Sequence, residues 1–249
     1  MPIRLAIRFK TSDPISPSSL KPKVIHGIFF SLFSKEVGEF FHSPIVKPFS
    51  LFCPLCFKSN KEEIHSFTLE VNLLDFSLFP YLSREFLIRS EDREFSVEGI
   101  RVKLQSIRAL RSATYEEILE NGFQTKDLII DFLTPTTFKK GKYDFILPEP
   151  YLIFKNLIKR WNTFSPQKLD YQLLQYVKEN IIVAGCWIKS QKTEISPKAK
   201  ITGFSGRVFL YATKEAEENR LLNALLQFAE FAGIGRKTTM GFGKVKLVM

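Results

Sequence analysis

Between Thr213 and Met249 the chain reads as helix, glycine-rich loop, strand, and that order excludes the commonest folds that grip phosphate with glycines. Leu221, Leu225, Phe228 and Ala232 recur at helical spacing, and Leu222 and Leu226 widen the apolar stripe. Thr213 is the expected cap. Glu215, Glu217 and Glu218 follow in the first turns, where the helix dipole favours anions. Gly233 stands just past the last apolar residue, a usual helix stop. After the loop, Lys244 to Val248 alternates polar and apolar, as a strand does. A P-loop and a dinucleotide fingerprint both need a strand before the glycines and a helix after them. Here the order is reversed.

The loop holds Gly233, Gly235, Gly241 and Gly243 together with Arg236, Lys237 and Thr238, and residues 233–249 contain no acid. Glycine lacks Cβ and accepts positive φ, so backbone can approach a ligand closely and aim N–H groups at an anion. A bare turn would account for one or two glycines, not for four interleaved with cations. The expectation is a phosphate-gripping loop.

Charge supports a polyanionic partner. The 249 residues carry 36 Lys and Arg against 26 Asp and Glu, a net charge of +10. Beyond the tail, residues 187–207 carry Lys189, Lys192, Lys198, Lys200 and Arg207 against the single acid Glu194. A hairpin would present these five cations on or between two strands, suited to a short RNA stem or a single strand. Among 25 Phe, most belong to the core, and a few exposed ones could stack on bases.

Three cysteines build no disulfide framework. Cys53 and Cys56 form a Cys-x-x-Cys, but a zinc site takes about four ligands, and only Cys186 and three scattered histidines remain. Their Phe and Leu neighbours point to strand core, so neither metal nor other cofactor is expected. The first residues lack an uninterrupted apolar stretch, and no apolar run is long enough to span a bilayer. A cytoplasmic protein with no membrane partner is expected.

Along the chain, the pattern predicts a strand over 3–10, a Pro- and Ser-rich loop over 11–18, and a helix over 20–41 that Gly38 can interrupt. Strands are expected over 49–57 and 64–76, a helix over 80–89 and a strand over 95–110. The second half repeats the order. Strands over 127–133, 181–188, 201–212 and 244–248 combine with helices over 150–161 and 213–232. The fold class is therefore α+β, with tandem ferredoxin-like βαββαβ domains. They are expected over 1–118 and 119–249, with the junction inside 111–126.

The stretch Gly233-Ile-Gly-Arg-Lys-Thr-Thr-Met-Gly-Phe-Gly243 closely resembles the glycine-rich signature of the RAMP proteins of CRISPR systems, which are RRM-like. In particular it resembles the repeat-processing endoribonucleases, the sixth Cas family. Thr134-Pro-Thr-Thr-Phe-Lys139, Leu147-Pro-Glu-Pro-Tyr-Leu-Ile-Phe154 and Arg160-Trp-Asn162 resemble the opening of that family's second domain. Thr202-Gly-Phe-Ser-Gly-Arg-Val-Phe209 resembles its central strand. The resemblance implies an enzyme that binds CRISPR repeat RNA and cuts each repeat once without metal. The ribose 2′-OH attacks, leaving a 2′,3′-cyclic phosphate and a 5′-OH. It also implies passage of the product to other Cas proteins, and it admits a homodimer.

That chemistry needs a base for the 2′-OH, an acid for the leaving 5′-oxygen and cations for the transition state. The resemblance assigns His42, at the end of the first helical region, as general acid or base. It assigns Lys47, a few residues on, to the phosphate oxygens. His26, on the first helix, is the rival proton-transfer residue, and His65 reads as structural. Phe30 stands where well-known members carry a Tyr, so His42 has to work with His26 or with Lys47. Arg236 and Lys237 are the expected RNA contacts of the loop. Two other functions fit the tail: a silent RAMP subunit that only binds crRNA, and a nucleotide-binding enzyme. The latter would need Mg²⁺ ligands near the loop, and residues 233–249 offer no carboxylate.

Overall fold

The computed structural model describes residues 1–57, 62–89 and 94–248. The first half runs β1 (Ile3–Ile15), α1 (Pro22–Ser31), α2 (Lys35–His42), β2 (Phe49–Phe52), β3 (Ile64–Leu73), α3 (Phe79–Arg89), β4 (Glu94–Val97) and β5 (Ile100–Ser112). Its antiparallel sheet has the order β2-β3-β1-β5-β4. The second half runs α4 (Tyr115–Glu120), β6 (Asp127–Thr136), β7 (Phe138–Lys140), β8 (Tyr143–Phe145), α5 (Pro150–Phe164), α6 (Leu173–Asn180), β9 (Ile181–Ser196), β10 (Ala199–Ala212), α7 (Glu217–Ala232) and β11 (Val245–Val248). Its main sheet has the order β11-β6-β10-β9. Both halves place the first strand of a βαββαβ unit between its third and fourth, so the architecture is two ferredoxin-like folds in tandem.

Each half buries its own core. Ile7 and Phe9 of β1 and Leu69 and Val71 of β3 pack under Ile25, Phe29 and Phe41 of α1 and α2. In the second half, Ile153, Leu157 and Trp161 of α5 meet Leu225 and Phe228 of α7 over Ile130 and Val208 of the sheet. Tyr115 and Ile118 of α4 belong to this second core, although they lie on the amino-terminal side of the expected 118/119 boundary.

Several expected elements differ in detail. The helix over 20–41 is two helices, because Ser34 accepts from the Val37 N–H and caps a new start. Gly38 lies inside α2 and breaks nothing. The strand over 49–57 ends at Phe52, and Pro54–Phe57 forms a 3₁₀ turn. The strand over 95–110 is a hairpin turning at Glu98 and Gly99, both with positive φ. Residues 11–15 continue β1 instead of forming a loop. Thr213 does not cap α7; the cap position is Ala216, and the Thr213 N–H donates to the Asn180 carbonyl at 2.8 Å.

The halves are joined by buried polar contacts. Lys244 donates to Glu70 of β3 and, at 3.2 Å, to the Glu230 carbonyl of α7. Arg4 donates to Asn72 at 3.0 Å and to the Glu230 carbonyl at 2.7 Å. Ser50 donates to the Phe231 carbonyl at 2.6 Å, and the guanidinium groups of Arg4 and Arg111 lie over the Phe231 ring. Lys244, one of the cations of the tail, is thus part of the contact between domains. Cys53 is buried, and Cys56 donates its thiol proton to the Leu20 carbonyl. Among the described residues no helix is long and apolar enough to cross a membrane.

Candidate functional site

The break between α1 and α2 positions the site. It folds α2 back along α1, so that His26 and His42 face each other with ring centroids 6.4 Å apart. Phe30 touches both imidazoles, at 4.7 Å from His26 and 5.6 Å from His42. Lys47, in the link to β2, turns back and donates its ammonium to the His42 carbonyl. His42 is exposed and His26 half-buried. Burial holds the His26 pKa down at about 4, with the charges of His42, Lys237 and Lys47 pushing the same way. His26 is therefore neutral near neutral pH. The three residues proposed for proton transfer and charge stabilisation lie in one cluster. His65 is on β3, exposed, and outside it.

The glycine-rich loop comes to this cluster from the other domain. A cleft of about 190 Å³ is lined by Val46 and Lys47 on one side, Gly235, Lys237, Thr238 and Thr239 on another, and Asn156 and Lys159 of α5 on a third. The turn Thr238–Met240 packs beside α1 and β2.

Most of the loop's N–H groups serve the protein itself. Ile234 donates to the Gly243 carbonyl at 2.8 Å, Gly243 to Pro135 at 3.1 Å, Arg236 to Thr137 at 3.0 Å and Gly235 to the Asn156 amide oxygen at 3.0 Å. The glycines make this folding possible. A Cβ on Gly243 would lie 1.9 Å from the Ile234 carbonyl oxygen, and one on Gly235 would lie 2.6 Å from that of Thr137. Both have positive φ. The amides of Lys237, Thr238 and Thr239 make no hydrogen bond among the described residues and adjoin the cleft. The broad cradle of amides expected from the glycines is thus narrowed to one turn.

Two residues of α5 hold the loop in place. Asn156 accepts from Gly235, and the buried Arg160 donates to the Ala232 carbonyl and to the Thr238 hydroxyl. Burial draws the Arg160 pKa down to about 10. In the sequence Arg160 stands out only within the stretch that resembles the family's second domain. The available signal was Asn156 and Arg160 one helical turn apart beside the apolar Leu157 and Ile158.

The cations separate into paired and open ones. Arg236 is held by Asp144, and Arg207 makes a two-pronged pair with Asp131 at 2.6 and 2.8 Å. Lys189, Lys192, Lys198 and Lys200 are exposed on the β9–β10 hairpin. The hairpin's far end packs Ile195 and Ile201 on Phe242 of the loop, and Lys21 of the first domain binds Glu194 at 2.8 Å. These contacts seat the far end of the hairpin against the glycine-rich loop and the first domain.

Residues 130–245 match the model of the family described as CRISPR-associated endoribonuclease Cas6. Curated relatives include Cas6 of Mycobacterium tuberculosis, 28 % identical over 126 residues, which is 50 % of this chain and 40 % of the relative. Cas6 of Streptococcus thermophilus is 26 % identical over 120 residues, 47 % of this chain and 49 % of the relative. The matches thus span less than half the length of these relatives. Among solved structures, a Cas6 product complex superposes with a TM-score of 0.84 at 24 % identity, covering 100 % of both chains. Thermus thermophilus Cas6 gives 0.75 at 23 % identity, covering 100 % of this chain and 98 % of that one.

Proposed function

We propose that this chain, a Cas6-family protein by the sequence of its carboxy-terminal half and by the fold of its whole length, binds CRISPR repeat RNA and cuts it at the histidine cluster. The observation that carries this reading is the cluster of His26, His42 and Lys47, whose Lys47 lines the interdomain cleft together with the Lys237 turn. The names of the relatives, endoribonucleases in each case, agree with it.

Two imidazoles and a set of ammonium groups suffice for the 2′-OH route. The neutral His26 takes the 2′-OH proton as the oxygen attacks phosphorus, and a protonated His42 supplies the proton to the leaving 5′-oxygen. His26 is held at low pKa first by burial and then by the neighbouring cations, and an entering phosphodiester offsets the second of these and raises its basicity. Lys47 neutralises the non-bridging oxygens. The exposed lysines of the β9–β10 hairpin hold the RNA backbone and carry no sequence information. Each phosphate contact should steepen the salt dependence by ~0.7–0.9 log unit per log unit of salt.

The test is cleavage of labelled repeat RNA in EDTA, beside the same RNA with a single 2′-deoxy substitution before the scissile phosphate. Cutting of the first alone supports the reading. Cutting of both, inhibition by EDTA, or binding without cutting would refute it, the last leaving a silent RNA-binding subunit.

A further inference from the structure

Lys237 has a backbone conformation that its side chain makes costly. Its φ is 61°, one of two positive values among the described non-glycine residues. Glycine or asparagine suits that region better. The fold uses only its main chain. The Lys237 carbonyl accepts from the Met240 N–H at 2.8 Å and from the Phe242 N–H at 3.3 Å, and glycine would make both bonds. The side chain is exposed, and its ammonium makes no ion pair or hydrogen bond among the described residues.

Neighbouring cations differ on this point. Arg236 is tied to Asp144, Lys244 to Glu70 and Arg207 to Asp131. Lys47 donates to the His42 carbonyl. Lys237 instead lines the cleft together with Lys47, and its charge bears on His26. A strained residue whose side chain the fold does not use signals a demand from the site.

We propose that Lys237 is a catalytic residue whose ammonium touches the scissile phosphate and stabilises the extra negative charge that develops during attack. The inference rests on the cleavage reading above. In the step, the 2′-oxygen bonds to phosphorus and the P–O5′ bond breaks. The 2′-OH proton goes to His26, and the 5′-oxygen takes one from His42. Lys237 keeps its protons and contributes charge alone.

Single-turnover cleavage with saturating enzyme tests this, in wild type, Lys237→Gly, Lys237→Asn and Lys237→Arg. The glycine and asparagine variants should cut ~100-fold more slowly at saturation, the size of effect seen when one transition-state donor is lost. Their melting temperature should equal or exceed that of wild type, because the left-handed turn is relieved. Lys237→Arg should retain most of the rate. If the wild type cuts and Lys237→Gly cuts within about threefold at saturation, losing only affinity, then Lys237 merely binds and the proposal fails. A lowered melting temperature in both relieved variants would also overturn it, by showing that the side chain serves the fold. If the wild type itself does not cut, the cleavage reading has failed first, and the proposal with it.

Discussion

The sharpest physical consequence of the site concerns His26 and acid. Its pKa is about 4 in the folded protein and near its ordinary value of 6.5 when unfolded. Between these two values the unfolded chain binds more protons than the folded one, so stability rises with pH across the window. The contribution is complete above about pH 6.5, shrinks as pH falls, and stops changing below about pH 4. Without screening, the linkage amounts to about 2 kcal/mol at about pH 5 and ~3 kcal/mol at its limit. Because the ring is only half-buried, solvent should reduce this to about 1–2 kcal/mol. The perturbation is His26→Gln, which removes the titration and keeps a polar side chain of similar reach. Urea denaturation of both proteins at about pH 7.5 and about pH 4.5 gives the difference directly, since other titrating groups largely cancel. Wild type should lose about 1–2 kcal/mol more than the variant on acidification. Adding Lys237→Asn to the wild type should narrow that gap, because one of the charges that depress His26 is gone. Parallel pH curves for wild type and His26→Gln would refute the claim that burial and neighbouring cations hold this imidazole neutral.

Three further outcomes follow from named contacts. His42→Ala should slow cleavage ~10²–10⁴-fold with repeat affinity nearly unchanged, measured by single-turnover cleavage and filter binding. Gly243→Ala should destabilise the protein by at least about 2 kcal/mol in thermal or urea melts, since its Cβ would overlap the Ile234 carbonyl in a left-handed turn. Arg160→Met should cost about 2–4 kcal/mol and weaken RNA binding as well, because the Ala232 carbonyl and the Thr238 hydroxyl lose their buried partner. A stability loss confined to the melt, with RNA affinity intact, would show that Arg160 does not shape the loop.

The ferredoxin-like repeat was legible because its evidence is periodic. The stripe on α7, the alternation in β3 and β11 and the stop at Gly233 are local patterns that the tertiary structure did not override. What escaped was short or decided at a distance. The helices α4 and α6 have 6 and 8 residues, too few for periodicity to stand out, although Thr114 and Glu117 spell a capping box that could have marked the first. The split between α1 and α2 turned on Ser34, a single hydroxyl with a good geometric use. That split brings His26 and His42 together. Reading one helix over 20–41 gives no cause to fold the second histidine back on the first, so joint action of the two is one alternative in the sequence, whereas the fold sets their rings 6.4 Å apart.

The tail makes the same point about charge. A count along the sequence gives Arg236, Lys237, Lys244 and Lys246 equal weight, because charge is visible in one dimension and its partner is not. Folding distinguishes them. Lys244 is buried between domains, and its desolvation cost is met by Glu70 and the Glu230 carbonyl. Arg236 is partly spent on Asp144. Lys237 keeps an open charge, at a position where the backbone disfavours any side chain. Likewise the four glycines, read as a cradle for phosphate, first let the chain pass close to its own carbonyls at Ile234 and Thr137. What remains after that requirement is met is three amides with no hydrogen bond among the described residues and one open lysine, all in residues that line the cleft. A glycine-rich basic motif therefore marks a stretch of chain, not the groups in it that stay open. Which of its groups can meet a ligand is decided by the contacts that use up the rest.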